Sequence, residues 1–122
     1  MSDLSADPNR IKGYHAHVYY SPQTRAIAER LRSGIGERFH ARLGSWHDEA
    51  VGPHPVSMYQ VAFAAEEFSG LVAWLMLNRE GLDVLVHPLS GDSIADHTRF
   101  AAWLGTPLPL RLDVLRRGPR AQ

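Results

Sequence analysis

The chain has 122 residues, the length of one domain, and its 44 % apolar and 21 % charged residues argue against disorder. Thirteen basic residues balance thirteen acidic ones, so there is no basic surplus for a polyanion, and the absence of cysteine excludes disulfides, thiolate catalysis, iron–sulfur clusters and Cys-type zinc sites. The unusual count is seven histidines. Residues 1–9 and 118–122 read as polar tails, the first disordered, around a single domain over 10–117. The first ten residues lack the apolar run of a secretory signal, and no stretch approaches the ~20 apolar residues of a membrane span. The expectation is a cytoplasmic protein with no membrane or nucleic-acid partner.

Residues 11–20 (IKGYHAHVYY) are rich in aromatic and β-branched side chains and predict a first strand. Ser21-Pro22 then reads as a helix cap with proline in the first turn, and Ala26, Ile27, Leu31 and Ile35 follow at helical spacing. Gly34 and Gly36 predict the end of that helix. Phe39, Ala41 and Leu43 alternate with Arg38, His40 and Arg42, a second strand running toward Trp46. Two prolines make 47–55 irregular. Residues 58–64 predict a third strand, and Glu66-Glu67 opens a helix with apolar Phe68, Leu71, Val72, Leu75 and Met76. Gly81 closes it. Residues 82–86 predict a fourth strand, 92–104 a last helix capped by Asp92 or Ser93, and 108–115 a half-exposed final strand.

The order β-α-β-β-α-β, with a further helix and strand, predicts an α+β, ferredoxin-like fold: one antiparallel sheet with its helices on one face. The bare face asks for a cover, and a homodimer is one solution. In this reading the first strand lies between the third, taken as parallel to it, and the fourth.

Four histidines carry the chemistry. His15 and His17 form H-x-H on one strand, so both imidazoles project from the same face, about 6–7 Å apart at the backbone. Taken alone the pair is as readily two polar residues on an exposed face. His54 sits in Gly52-Pro53-His54-Pro55, where each proline stiffens the loop, and His87-Pro88 follows the fourth strand. The same segments also read as a stiff turn and a strand terminator. The expected topology brings His15, His54 and His87 to one rim of the sheet, with His17 one step inside. Neutral imidazoles without thiolates suit Zn, Cu, Fe and Ni. The edge argument gives His15, His54 and His87 to the metal and His17 to acid–base work, and exchanging His15 with His17 is almost as reasonable. His97, after Asp96, reads as a carboxylate-supported histidine or as a solvent-facing helix pair. His40 and His47 read as surface residues, and Trp74 and Trp103 as helical core or interface. No dinucleotide, P-loop, serine-hydrolase or H-E-x-x-H motif is present.

GYHAHVYY, GPHPVSMYQV, LVHPLSGDSIADH and WLG-x-PL, in that order from Ile11 to Leu115, resemble the DOPA 4,5-dioxygenase family. The resemblance implies a ferredoxin-like dimer and a non-haem Fe(II) enzyme, with zinc or another divalent metal able to take the same place. It implies extradiol cleavage of a small aromatic diol such as L-DOPA, with both oxygens of O2 entering the product. His15, His17, His54 and His87 occupy its motif positions. Two other readings stand beside it: a metal-binding domain without turnover, and a metal-free enzyme using histidine as a base.

Overall fold

The structure is a computed structural model that describes residues 5–117. The outermost parts of the expected tails, 1–4 and 118–122, lie outside the described residues. Asp7 caps a 3-10 turn over Pro8–Arg10 through its side chain. The chain then forms β1 (Tyr14–Tyr19), α1 (Arg25–Arg38), β2 (Ala41–Leu43), β3 (Met58–Phe63), α2 (Phe68–Asn78), β4 (Val84–Pro88), α3 (Ser93–Asp96), β5 (Ala102–Leu104) and α4 (Leu112–Arg117). The five strands make one antiparallel sheet in the order β2-β3-β1-β4-β5. This is the expected α+β, ferredoxin-like arrangement.

Alternation along β1 divides the molecule into two layers. Ala16, Val18 and Tyr20 pack with Leu31 and Ile35 of α1 and with Leu71 and Leu75 of α2. Each such buried Leu or Ile contributes roughly 1.5–3 kcal/mol. His15, His17 and Tyr19 take the opposite face. There Tyr19, Met58 and Leu85 pack with Val51, Ala101, Trp103, Leu108 and Leu110. The face expected to await a second copy is therefore partly covered by the chain's own loop and C-terminal segment.

Several local readings are corrected. β3 runs antiparallel to β1, with Tyr14 opposite Phe63 and Tyr19 opposite Met58. In a split βαβ unit the inserted strand opposes both of its neighbours. α1 does not stop at Gly34 but continues to Arg38. A Cβ on Gly34 would lie 2.6 Å from the Trp74 ring, so this glycine provides close approach between α1 and α2 and not a helix end. We expect Gly34→Ala to lower stability by about 1–3 kcal/mol in denaturant titrations, although alanine is the better helix former. A neutral or stabilising result would show that Trp74 moves aside freely.

The fourth strand ends at Pro88, not at residue 86, which leaves His87 inside the ladder opposite His15. The helix expected over 92–104 is a single turn, because 102–104 pairs with the edge of β4 and places Trp103 opposite Leu85. The strand expected over 108–115 does not form. Pro107 and Pro109 lack the N–H groups a ladder needs, so Leu108 and Leu110 act as apolar anchors and a short helix follows.

Candidate metal centre

Five histidines gather on the sheet face opposite α1 and α2. His15 and His17 come from β1 and His87 from β4, where it is directly opposite His15. His97 sits at the end of α3. His54 arrives by a different route from the one the sequence suggested. Because β3 is antiparallel, its start lies beside the end of β1, not the beginning. The loop before β3 doubles back under the sheet: His47 pairs with Met58, and Val51 and His54 exchange backbone hydrogen bonds across a tight turn. Gly52 takes φ +54 there, a conformation glycine adopts at little cost. The Arg111 N–H donates to the Pro53 carbonyl and ties the turn to the C-terminal segment.

The ring centroids are 5.1 Å apart for His17–His87, 4.1 Å for His17–His54, 4.1 Å for His87–His97 and 5.2 Å for His15–His87. His17, His54, His87 and His97 are at most 2 % exposed, while His15 is half-buried. Two sets of three nitrogen atoms, His15/His17/His87 and His17/His54/His97, each lie within 4.8 Å of one another. His17 belongs to both. The set read from the sequence, His15/His54/His87, does not form such a group, and His97 is the member that the sequence reading underweighted. With a helix expected over 92–104, His97 reads either as a carboxylate-supported histidine or as a solvent-facing one. The turn ends at Asp96, so His97 swings inward. Asp96, buried beside it, receives hydrogen bonds from the Ser90 N–H and Oγ–H.

The second nitrogen of several rings is already committed. His87 donates from Nδ1 to the Pro88 carbonyl at 2.9 Å, and His97 donates from Nδ1 to the Ser93 carbonyl at 2.7 Å. Both therefore keep an Nε2 lone pair. His54 Nδ1 is 2.7 Å from the Tyr19 hydroxyl. His17 Nε2 is 3.1 Å from His87 Nε2, and since the latter is an acceptor, His17 Nε2–H donates. This leaves His17 Nδ1 as the lone-pair atom of that ring. Metal-ligating histidines are commonly oriented in this way, by a partner on the nitrogen that does not face the metal.

The cluster is electrostatically costly when metal-free. Burial, and then the neighbouring His97, pull the His15 pKa down to about 4. Arg42 adds to that shift. Burial, again followed by His97, brings His54 and His87 each to about 3. His17 is pushed well below the ordinary imidazole value by burial and by His54. All four rings are neutral at pH 7, the form that binds metals. His15 Nδ1, His17 Nδ1 and His54 Nε2 are buried without a hydrogen-bond partner. Each such atom costs about 1–3 kcal/mol, a cost that a bound cation would remove. An all-imidazole donor set with unsatisfied buried nitrogens thus fits a divalent metal of the Zn, Fe, Cu or Ni type.

A fungal protein of Botryotinia fuckeliana described only as an uncharacterized 21.2 kDa protein is 34 % identical over 119 residues, covering 85 % of this chain and 63 % of its own. A DOPA 4,5-dioxygenase of Amanita muscaria is 32 % identical over 113 residues, covering 85 % of this chain and 50 % of its own. The chain thus spans half to under two-thirds of the length of these curated relatives. A crystal structure of a candidate dioxygenase from Nostoc punctiforme superposes with a TM-score of 0.92 at 50 % identity, over 93 % of this chain and 98 % of the other. The profile of the Dopa 4,5-dioxygenase family matches residues 14–114. With both the fold and the motif-bearing segments matched, the chain belongs to the Dopa 4,5-dioxygenase family.

Proposed function

We propose that this protein is a non-haem Fe(II) extradiol dioxygenase that opens the ring of a catechol such as L-DOPA. The observation that carries the reading is the five-histidine cluster, in which ring orientation and unsatisfied nitrogens prepare an ion site inside a family of dioxygenases. His17, His54 and His97 would hold the metal, with His87 flanking them. Fe(II), when bound, supplies a positive charge that lowers the proton affinity of the diol and a redox partner for O2. Both atoms of O2 enter the product, so no outside reductant is consumed.

The chain's own residues supply orientation and proton transfer. His15, half-buried, lines an open groove. Being neutral at pH 7, it accepts the catechol proton and returns one to the opened ring. Positioned acid–base help of this kind is worth about 10²–10⁴-fold. This assignment exchanges the roles that the edge argument gave to His15 and His17, because His17 is the ring shared by both nitrogen sets. The buried rings of His17, His54, His87 and His97 would keep bulk water from a bound ion.

Tyr19 is a positioning residue. Its hydroxyl holds His54 Nδ1, while its ring stacks on Trp103 at 5.9 Å. Tyr19→Phe should keep the stack and the fold but lower metal affinity about 10–100-fold in competition with a chromophoric chelator. Unchanged affinity would remove Tyr19 from the site's support.

The test of the function is ring opening itself. Protein reconstituted with Fe(II) under anaerobic conditions and mixed with aerated L-DOPA or a simpler catechol should give a yellow ring-opened product. A domain that only stores metal would give none.

A further inference from the structure

The groove beside His15 has features that ring cleavage alone does not require. Its volume is about 610 Å³, and it is bordered by Lys12, His15, His40 and Arg42. Among the described residues, no carboxylate side chain lines it. The sheet register explains its shape. Arg42 on β2 is opposite Ala62 on β3, Ala62 is opposite His15 on β1, and His15 is opposite His87 on β4. These four residues form one row across the sheet and share one face. Arg42 is two strand spacings from His15, roughly 10 Å between Cα atoms. Between them the floor is a methyl group, and Gly13 and Ala64 continue the small-residue floor toward the end of the sheet. The row therefore leaves an open trough with imidazole at one end and guanidinium at the other.

Arg42 is exposed, and among the described residues its side chain makes no ion pair. Three arginines of α1 are engaged. Arg25 pairs with Asp48, Arg30 with Glu80, and Arg32 donates to the Gly44 carbonyl. A guanidinium left open at the far end of a trough, with Lys12 on its border, is suited to bidentate capture of a carboxylate.

We propose that Arg42 is a specificity-determining residue, which anchors the carboxylate of the substrate while the diol lies at His15, so that the protein selects catechols bearing an acidic side chain. The diol end of this assignment rests on the ring-cleaving reading above. Lys12 adds positive charge along the trough without fixing geometry. A neutral or cationic side chain gains nothing from Arg42 and leaves the guanidinium in water.

The test compares 3-(3,4-dihydroxyphenyl)propionate with its neutral primary amide on wild-type protein, Arg42→Gln and Arg42→Lys. Fe(II)-loaded protein is used for turnover, and Zn(II)-loaded protein under anaerobic conditions for calorimetric binding. Wild-type protein should favour the acid over the amide by about 10–100-fold in kcat/KM, chiefly through KM, and by a similar factor in Kd. Arg42→Gln should erase that preference by weakening the acid alone, and Arg42→Lys should keep part of it. Equal handling of acid and amide by wild-type protein, or equal weakening of both by Arg42→Gln, would overturn the proposal. Absence of turnover with every catechol would instead count against ring cleavage, and the Zn(II) binding data would still decide the role of Arg42.

Discussion

His17→Gln should abolish metal binding. Glutamine roughly preserves the volume of the buried ring, so the fold should survive, but it removes the one imidazole common to both nitrogen sets. Loss of a partner that merely orients a ligand costs about 10–100-fold in affinity. Loss of the shared ligand should cost more, and elemental analysis after gel filtration should fall from about one metal per chain to a trace. Activity should fall by more than about 10³-fold, because both the ion and the groups arranged around it are lost. His40→Gln, on the exposed rim of the groove, should keep full metal content. If His17→Gln binds metal as wild-type protein does, the ion is held elsewhere and the two-set geometry does not describe the centre.

Acid should unfold the metal-free protein steeply. His54 and His87 take up protons only near pH 3 in the folded chain, but at about 6.5 once unfolded. Below pH 6.5 the unfolded state therefore binds more protons, and stability falls as pH falls toward the folded values. Two such groups give a slope of about 3 kcal/mol per pH unit. His17, shifted in the same direction, steepens it further. Against a typical stability of about 5–15 kcal/mol, unfolding should fall within the range of about pH 4 to 5. Added Zn(II) or Fe(II) should move the transition to lower pH, since the metal competes with protons for the same nitrogens. Circular dichroism melts between pH 7.5 and 4.5 would check this. Stability that is flat over that interval would mean that these rings are not buried as neutral imidazoles.

Much of this centre was legible in the chain. H-x-H on a strand puts two imidazoles on one face by alternation alone, and the prolines around His54 and His87 mark stiff positions. The order of strands and helices gave the sheet. What the pattern could not show was how the chain returns. Apolar alternation in Leu108–Leu110 has the same period in a ladder and in an anchored loop, and only the missing proline N–H groups separate the two. Gly34 looked like a helix end because the Trp74 ring that fills its place comes from forty residues away. His97 was hidden by the same kind of non-local effect: pairing of 102–104 with β4 cuts the helix short and turns the ring inward. His54 reached the cluster even though the strand direction inferred for β3 was reversed. The rim argument thus named a correct neighbour for an incorrect reason, and the fold-back of 47–57 is what places it.

Keeping four buried imidazoles together beside a fifth is expensive unless an ion offsets the lost hydrogen bonds, and such shifted proton affinities cluster at functional sites. The most direct test of this account is oxygen consumption by Fe(II)-reconstituted protein supplied with a catechol, followed together with the ring-opened chromophore. The account predicts one O2 taken up per catechol opened, with both signals lost when a strong chelator removes the metal. Catechol consumption that continues unchanged in the chelator, or no oxygen uptake at full iron loading, would contradict it.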